Sequence, residues 1–221
     1  MNNKCILITG CSTGIGLHVA RGLSKRGYRV FATARNQNDI TRLNGEGLES
    51  FLLDLSNSFS IQNAVNEALK RTGGTLYALF NNGGYGQPGA VEDLDVNTLR
   101  KQFETNFFGW HELTNLLLPV MRKQGFGRII QNSSILGLVA IPYRGAYIAS
   151  KHAIEGLSDT LRMELKGTNI HVCIIEPGPI SSKFRENSLK KFRDNINFEQ
   201  SNYKNNYRMM EERLMKLNAP L

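Results

Sequence analysis

Cysteine is scarce. Cys5, Cys11 and Cys173 are the only three in 221 residues, an odd and scattered set with two members inside strand-like runs. This excludes a disulfide framework and reads as reduced core thiols. Histidine is nearly as rare, and His18, His111, His152 and His171 make no metal-ligand spacing with those cysteines, so no metal site is expected. No apolar run approaches the roughly 20 residues of a membrane span, and no stretch has the composition of a linker or a repeat. An apolar strand starts almost at Met1, leaving no room for a charged and then apolar signal segment, so the chain is expected to be cytoplasmic. At 41% hydrophobic residues it is long enough for one full-sized core, and a single domain over 1–221 is the expectation.

Acidic charge is also in short supply, with 19 Asp and Glu against 27 Lys and Arg and a formal charge of +8. Much of the excess lies late, at Lys183, Arg185, Lys190, Lys191, Arg193, Lys204, Arg208, Arg213 and Lys216. Such a stretch forms a solvated helical segment, or else meets an anionic surface or a phosphate-bearing ligand. No nucleic-acid partner is expected.

What is present is alternation. Apolar runs at Lys4–Thr9, Arg29–Thr33, Leu48–Leu53, Leu76–Asn81, Gly127–Ser133 and Ile170–Ile175 read as strands. Amphipathic stretches at about Gly14–Arg26, Ser58–Lys70, Asp95–Lys123 and Ala146–Leu165 read as helices, the third carrying Pro119, which should kink or end it. Right-handed crossovers then give an α/β fold, a doubly wound Rossmann-type parallel sheet of at least six strands with helices on both faces. Ligands in such sheets sit beyond the carboxyl ends of the strands.

The segment after the first strand, "CILITGCSTGIGLH", fits two chemistries. Gly10-Cys11-Ser12-Thr13-Gly14 matches the G-x-S-x-G elbow that presents a nucleophilic serine, while Gly10, Gly14 and Gly16 match a loop that cradles a dinucleotide. A hydrolase elbow needs an oxyanion loop upstream and then an acid and a histidine downstream. Here nothing precedes it, and His171 opens a buried strand at the wrong end for chemistry. In the cradle each glycine has a physical role, in the tight turn, in close approach to a pyrophosphate or in close helix packing. A second motif is "GAYIASKHAIEGLSD", in which Tyr147 and Lys151, four apart on one helical face, place an ammonium close to a phenol and favour the phenolate.

Together with these motifs, "LFNNGGYG", "ETNFFG", "QNSSILG" and "IIEPGPISS" follow in an order that resembles the short-chain dehydrogenase/reductases along nearly the whole chain. Within that family the wording is similar to NADP-dependent aldehyde and ketone reductases and to hydroxysteroid- or retinol-dehydrogenase-like members. The resemblance implies hydride transfer between a nicotinamide and a carbonyl or alcohol carbon. It gives Tyr147 the role of general acid and Lys151 that of lowering the Tyr147 pKa and binding the nicotinamide ribose. Ser134 would orient the substrate oxygen, and Asn106 would hold a water that relays protons to Lys151. It implies a cofactor site of Gly10, Ser12, Thr13, Gly14, Ile15 and Gly16, with Asp54 on the adenine, Asn82 and Gly83 along the cofactor's far side, and Pro177, Gly178, Ile180 and Ser182 in the turn after the sixth strand. It also implies a homo-oligomer. The end of the second strand reads Thr33-Ala34-Arg35, with an arginine and no acid to hold a ribose 2′-hydroxyl, so NADP(H) is expected over NAD(H).

Tyr85, Pro88, Leu136, Leu138, Val139, Ile141 and Tyr143 suggest an apolar wall for an aliphatic, aromatic or isoprenoid carbonyl, or a face that packs under a helical lid spanning 181–221. Three departures from the family pattern stand out. Gly83 replaces an alanine, which is expected to loosen its turn slightly, and Ser182 replaces a threonine. The family usually continues into a seventh strand, whereas this sequence stops at Leu221, so either the chain is cut or the sheet ends at an edge that something should cover. The alternative to an enzyme is an NADP-binding sensor or scaffold without turnover.

Overall fold

A computed structural model describes residues 4–215. Its centre is six parallel strands, β1 (Cys5–Ile8), β2 (Arg29–Ala34), β3 (Glu49–Leu52), β4 (Ala78–Asn81), β5 (Gly127–Asn132) and β6 (Ile170–Ile175), in the order β3-β2-β1-β4-β5-β6. Strand residues alternate between two cores. Cys5, Leu7 and Phe31 face one, while Ile6, Ile8, Val30 and Ala32 face the other. Both faces are covered, which is why these strands read as nearly continuous apolar runs.

Helices α1 (Gly14–Lys25) and α2 (Gln37–Gly45) close one face through Ala20, Ile40 and Leu43. Helices α3 (Ser58–Thr72) and α5 (Gly109–Gln124) supply Ile61, Ala64, Leu113 and Leu117 to the other core, joined by Ile154 of α6 (Gly145–Glu164). The sequence pattern misses α2, because "QNDITRLNG" offers only two buried apolar side chains. Its start is marked instead by Asn36, whose side chain accepts from the Asp39 N–H at 2.9 Å.

One long helix was expected over 95–123. The structure divides it into α4 (Val96–Phe103), a π turn at Glu104–Phe108, and α5. The interruption is at the π turn and not at Pro119, through which α5 runs on to Gln124. The π turn holds Asn106, fully buried, and π turns inside helices are frequent at functional sites.

The expected helical segment after residue 181 contains α7 (Phe184–Asn195) and α8 (Lys204–Met215), while Lys216 and the stretch to Leu221 lie outside the described residues. These two helices form a third apolar cluster with the 86–94 loop, built from Ala90, Phe192, Ile196, Tyr207, Met210 and Leu214. Its polar pin is Tyr207. The hydroxyl accepts from the Ala90 N–H at 2.7 Å and donates to Asp93, which also accepts from Ser201 Oγ at 2.6 Å. Burial, with Asp93 adding to it, pushes the phenol up to about 12. Tyr207→Phe keeps the ring but orphans the Ala90 amide, so it should lower the denaturation free energy by about 1–3 kcal/mol. Urea unfolding checks the value, and loss of hydrogen-exchange protection at Ala90 should accompany it.

Candidate active site

The strand order reverses between β1 and β4, and a cavity of about 470 Å³ lies at the carboxyl ends of the strands there. Its floor is the loop from Gly10 to Ile15. Gly10 takes φ +70°, and a Cβ on it would lie 2.5 Å from the Gly83 Cα; a Cβ on Gly16 would lie 2.4 Å from the Gly10 carbonyl oxygen. No side chain fits at either position. Gly83 is itself tightly packed, since a Cβ there would meet Leu55 Cδ1 at 2.8 Å, so the expected loosening of this turn is not found. The two turns are stitched together. Thr9 Oγ1 accepts the N–H groups of Asn82 and Gly83, each at 2.8 Å, and Asn82 Nδ2 donates to the carbonyls of Thr9 and Gly10 at 2.8 and 3.2 Å.

Helix α1 starts behind Thr13, which makes no side-chain cap bond, and its first turn holds no acid. Its terminal N–H groups and positive dipole end are therefore left without a capping side chain, the setting that suits a pyrophosphate. Ser12, Thr13, Gly14 and Ile15 line the cavity here, and Arg42 of α2 braces the loop by donating to the Ser12 carbonyl at 2.6 Å. At the end of β2 the buried Thr33 donates to the Ile8 carbonyl at 2.9 Å, and the exposed Arg35 lines the cavity. Asp54 also lines it, its carboxylate accepting from Ser56 N and Oγ at 2.9 and 2.7 Å.

Asn82, Gly83, Asn106, Ser134, Tyr147, Lys151, Pro177, Gly178, Ile180 and Ser182 all reach the same cavity. Ser134 accepts from the Leu136 N–H at 3.1 Å, and its hydroxyl lies beside the Tyr147 phenol. Lys151 is buried. Its Nζ donates to the Asn132 carbonyl at 2.7 Å and lies 4.3 Å from the centre of the Trp110 ring. Burial pulls this ammonium down from 10.5 to about 7, with Glu155 opposing. Burial pushes the Tyr147 phenol up, with the Ser134 hydroxyl beside it working in the opposite sense. The depression of Tyr147 expected from the Tyr-Lys spacing is thus not found in the cofactor-free chain, where desolvation outweighs the Ser134 hydroxyl.

Other placements differ from expectation. The Asn106 carboxamide also fastens the 82–90 loop, accepting from the Tyr85 N–H at 3.1 Å and donating to the Tyr85 carbonyl at 2.9 Å, with Ser150 Oγ at 3.4 Å. Tyr85 and Leu136 line the cavity, but Tyr143 does not: its ring packs on Tyr203 and Tyr207, at 5.6 and 5.7 Å between centroids. Leu138, Val139 and Ile141 are exposed and Pro88 is buried, all four outside the cavity lining. Among the described residues no histidine lines the cavity, and His171 enters β6 at the amino end, away from the site. Ser12 is thus without a histidine base, and the hydrolase reading falls.

Sequence reasoning missed two contributors. Phe184, the first residue of α7, sets its ring edge-on to Tyr147 at 5.5 Å. Trp110 donates from Nε1 to the Gly83 carbonyl at 2.7 Å while its face receives Lys151. No spacing in the sequence marks either. The one usable signal was the rarity of tryptophan, a single residue in the chain.

A doubly wound parallel sheet with a dinucleotide-shaped cleft at its switch point, and a serine, a tyrosine and a lysine converging beside it, defines the class as an α/β nucleotide-cofactor oxidoreductase. The short chain dehydrogenase family model matches residues 4–192. The chain is 46% identical over 184 residues to the uncharacterized oxidoreductase YbbO of Escherichia coli strain K12, covering 83% of this chain and 68% of that protein. A crystal structure of a short-chain dehydrogenase from Streptomyces avermitilis superposes with a TM-score of 0.77 at 34% identity, over 81% of this chain and 67% of that one. A second, from Burkholderia phymatum in complex with NAD, shares the fold at a TM-score of 0.83 and 23% identity, over 99% and 81%. The chain belongs to the short-chain dehydrogenase family, oxidoreductases that use a nicotinamide cofactor.

Proposed function

We propose that the protein moves a hydride between NADP(H) and the carbonyl or alcohol carbon of a small, largely apolar substrate. The observation that carries this reading is the convergence of Ser134, Tyr147 and Lys151 on one cavity whose other end holds Arg35 in place of an acid. When bound, the nicotinamide supplies or accepts the hydride. The rest is the chain's own work. Tyr147, kept protonated at neutral pH by burial, donates its proton to the oxygen on which charge develops during reduction. Ser134, fixed by the Leu136 N–H, donates a hydrogen bond to the same oxygen. Lys151, anchored on the Asn132 carbonyl, sets its Nζ 5.6 Å from the centre of the Tyr147 ring, where its proton and charge serve the phenol and the cofactor's ribose. Phe184 and Leu136 keep water from the phenol, and Leu214 of α8 closes the wall.

A guanidinium paired with a phosphate contributes about 1.5–3 kcal/mol, so Arg35→Ala should weaken NADPH binding roughly 10-fold to 150-fold and leave NADH almost unchanged. Fluorescence titration with both cofactors reads the difference. Equal loss for the two would show that Arg35 does not recognise the 2′-phosphate. The reaction itself is tested by loss of NADPH absorbance against a panel of aldehydes and ketones, and a panel without any turnover would refute it.

A further inference from the structure

Arg144 is a cavity residue that this mechanism leaves unused. It immediately precedes α6, three residues ahead of Tyr147, and both side chains line the cavity. Its backbone is held firmly. Tyr143 beside it has φ 63°, the only left-handed non-glycine among the described residues, a conformation that persists only where the surroundings enforce it. Here they do: the Tyr143 carbonyl accepts from the Gly89 N–H at 3.0 Å, and its ring is packed against Tyr203 and Tyr207.

The guanidinium has a poor set of partners. Nη1 lies 3.6 Å from Met210 Sδ, a weak acceptor, and no carboxylate among the described residues forms an ion pair with Arg144. Burial, with the like charge of Arg185 added, lowers it from 12.5 to about 10, which still leaves it charged at neutral pH. Arg185, Lys190 and Lys191 of α7 line the same cavity, with Asp194 the acid among the α7 lining residues. Lys191 extends over the Tyr85 ring at 5.2 Å. A half-buried cation in a basic surround is costly unless an anion joins it.

We propose that Arg144 is a specificity-determining residue that receives an oxyanion carried by the substrate, a carboxylate or a phosphate. The substrate is then an aldehyde or ketone with an apolar body and an anionic end. This rests on the reductase reading above and narrows its substrate class. Leu136 and Leu214 meet the body, and the guanidinium takes the charged end in the paired geometry that suits either oxyacid.

The test uses the full chain loaded with NADPH and matched aldehydes: 4-formylbenzoate, 4-formylphenyl phosphate, 4-formylbenzamide and benzaldehyde, with an ω-oxo fatty acid series and its methyl esters. The wild type should favour anionic over neutral members by about 10-fold to 150-fold in kcat/KM, mainly through KM, and the better of the carboxylate and phosphate arms identifies the group. In Arg144→Gln that ratio should collapse towards one. Arg144→Lys should recover part of it, as a point charge without the fork, and also serves if the glutamine variant does not fold. A preference for neutral members, an unchanged ratio in Arg144→Gln, or a loss of NADPH affinity equal to the loss of activity would overturn the proposal. If no aldehyde is reduced, the reductase reading fails separately. Calorimetry of terephthalate and phenyl phosphate on the NADPH-loaded chain then decides: binding abolished by Arg144→Gln upholds the anion site, and binding that is absent or independent of Arg144 refutes it.

Discussion

Tyr147→Phe is expected to cut turnover by about 100-fold or more, the usual yield of a positioned general acid, with folding and NADPH affinity preserved. The ring stays. It is buried and packed edge-on against Phe184 at 5.5 Å, so the substitution removes one hydroxyl from a filled site and little else. The phenol's polar neighbour is the Ser134 hydroxyl, inside the site itself, in contrast to Tyr207, whose hydroxyl ties the last helices to the 86–94 loop. Single-turnover hydride transfer from NADPH to an apolar aldehyde is the measurement. A variant that kept most of the wild-type rate would remove Tyr147 from the chemistry and leave an NADP-binding protein without turnover as the better account.

Lys151→Met is expected to move stability and activity in opposite directions. In the folded chain the ammonium is pulled from 10.5 down to about 7 by burial, so between those values the unfolded chain binds a proton that the folded chain has released, and stability rises with pH across that window. Below pH 7 the buried charge exerts its full cost. Each pH unit across the window changes stability by about 1.4 kcal/mol, and losing the bond to the Asn132 carbonyl offsets part of the gain. The cofactor-free methionine variant should therefore be more stable than the wild type by about 2–4 kcal/mol at pH 6–7, or roughly 4–16 °C in Tm for a chain of this size. The advantage should shrink as pH rises and vanish above about 10.5. Turnover should fall as far as in Tyr147→Phe. The two losses should not add in the double variant, since both disable one proton-transfer unit. A methionine variant that melts below the wild type at neutral pH would show that Lys151 supports the fold more than it strains it.

The particular elements show how far the sequence reached. The six strands were legible because both faces of a parallel sheet are buried, and β6 falls on the expected Ile170–Ile175 without adjustment. Tyr147 and Lys151 were legible because four residues is one helical turn, and Arg35 because it stands where β2 ends. What the sequence did not show depends on contacts distant in the chain. Asn106 is committed to Tyr85, 21 residues away, and Lys151 to Asn132, 19 away. The Tyr143 ring was withdrawn from the cavity by Tyr203 and Tyr207, while Phe184 and Arg144 were brought into it. By itself the sequence determined the sheet, the glycine loop and the pairing of Tyr147 with Lys151 on one helical face, since periodicity, turn chemistry and helical spacing act over one or two turns of chain. Only the tertiary structure decided which of these groups keep their charge, which are committed to holding loops together and which face a substrate. Burial and hydrogen-bond partners settle those questions, and both come from elements that meet across tens of residues.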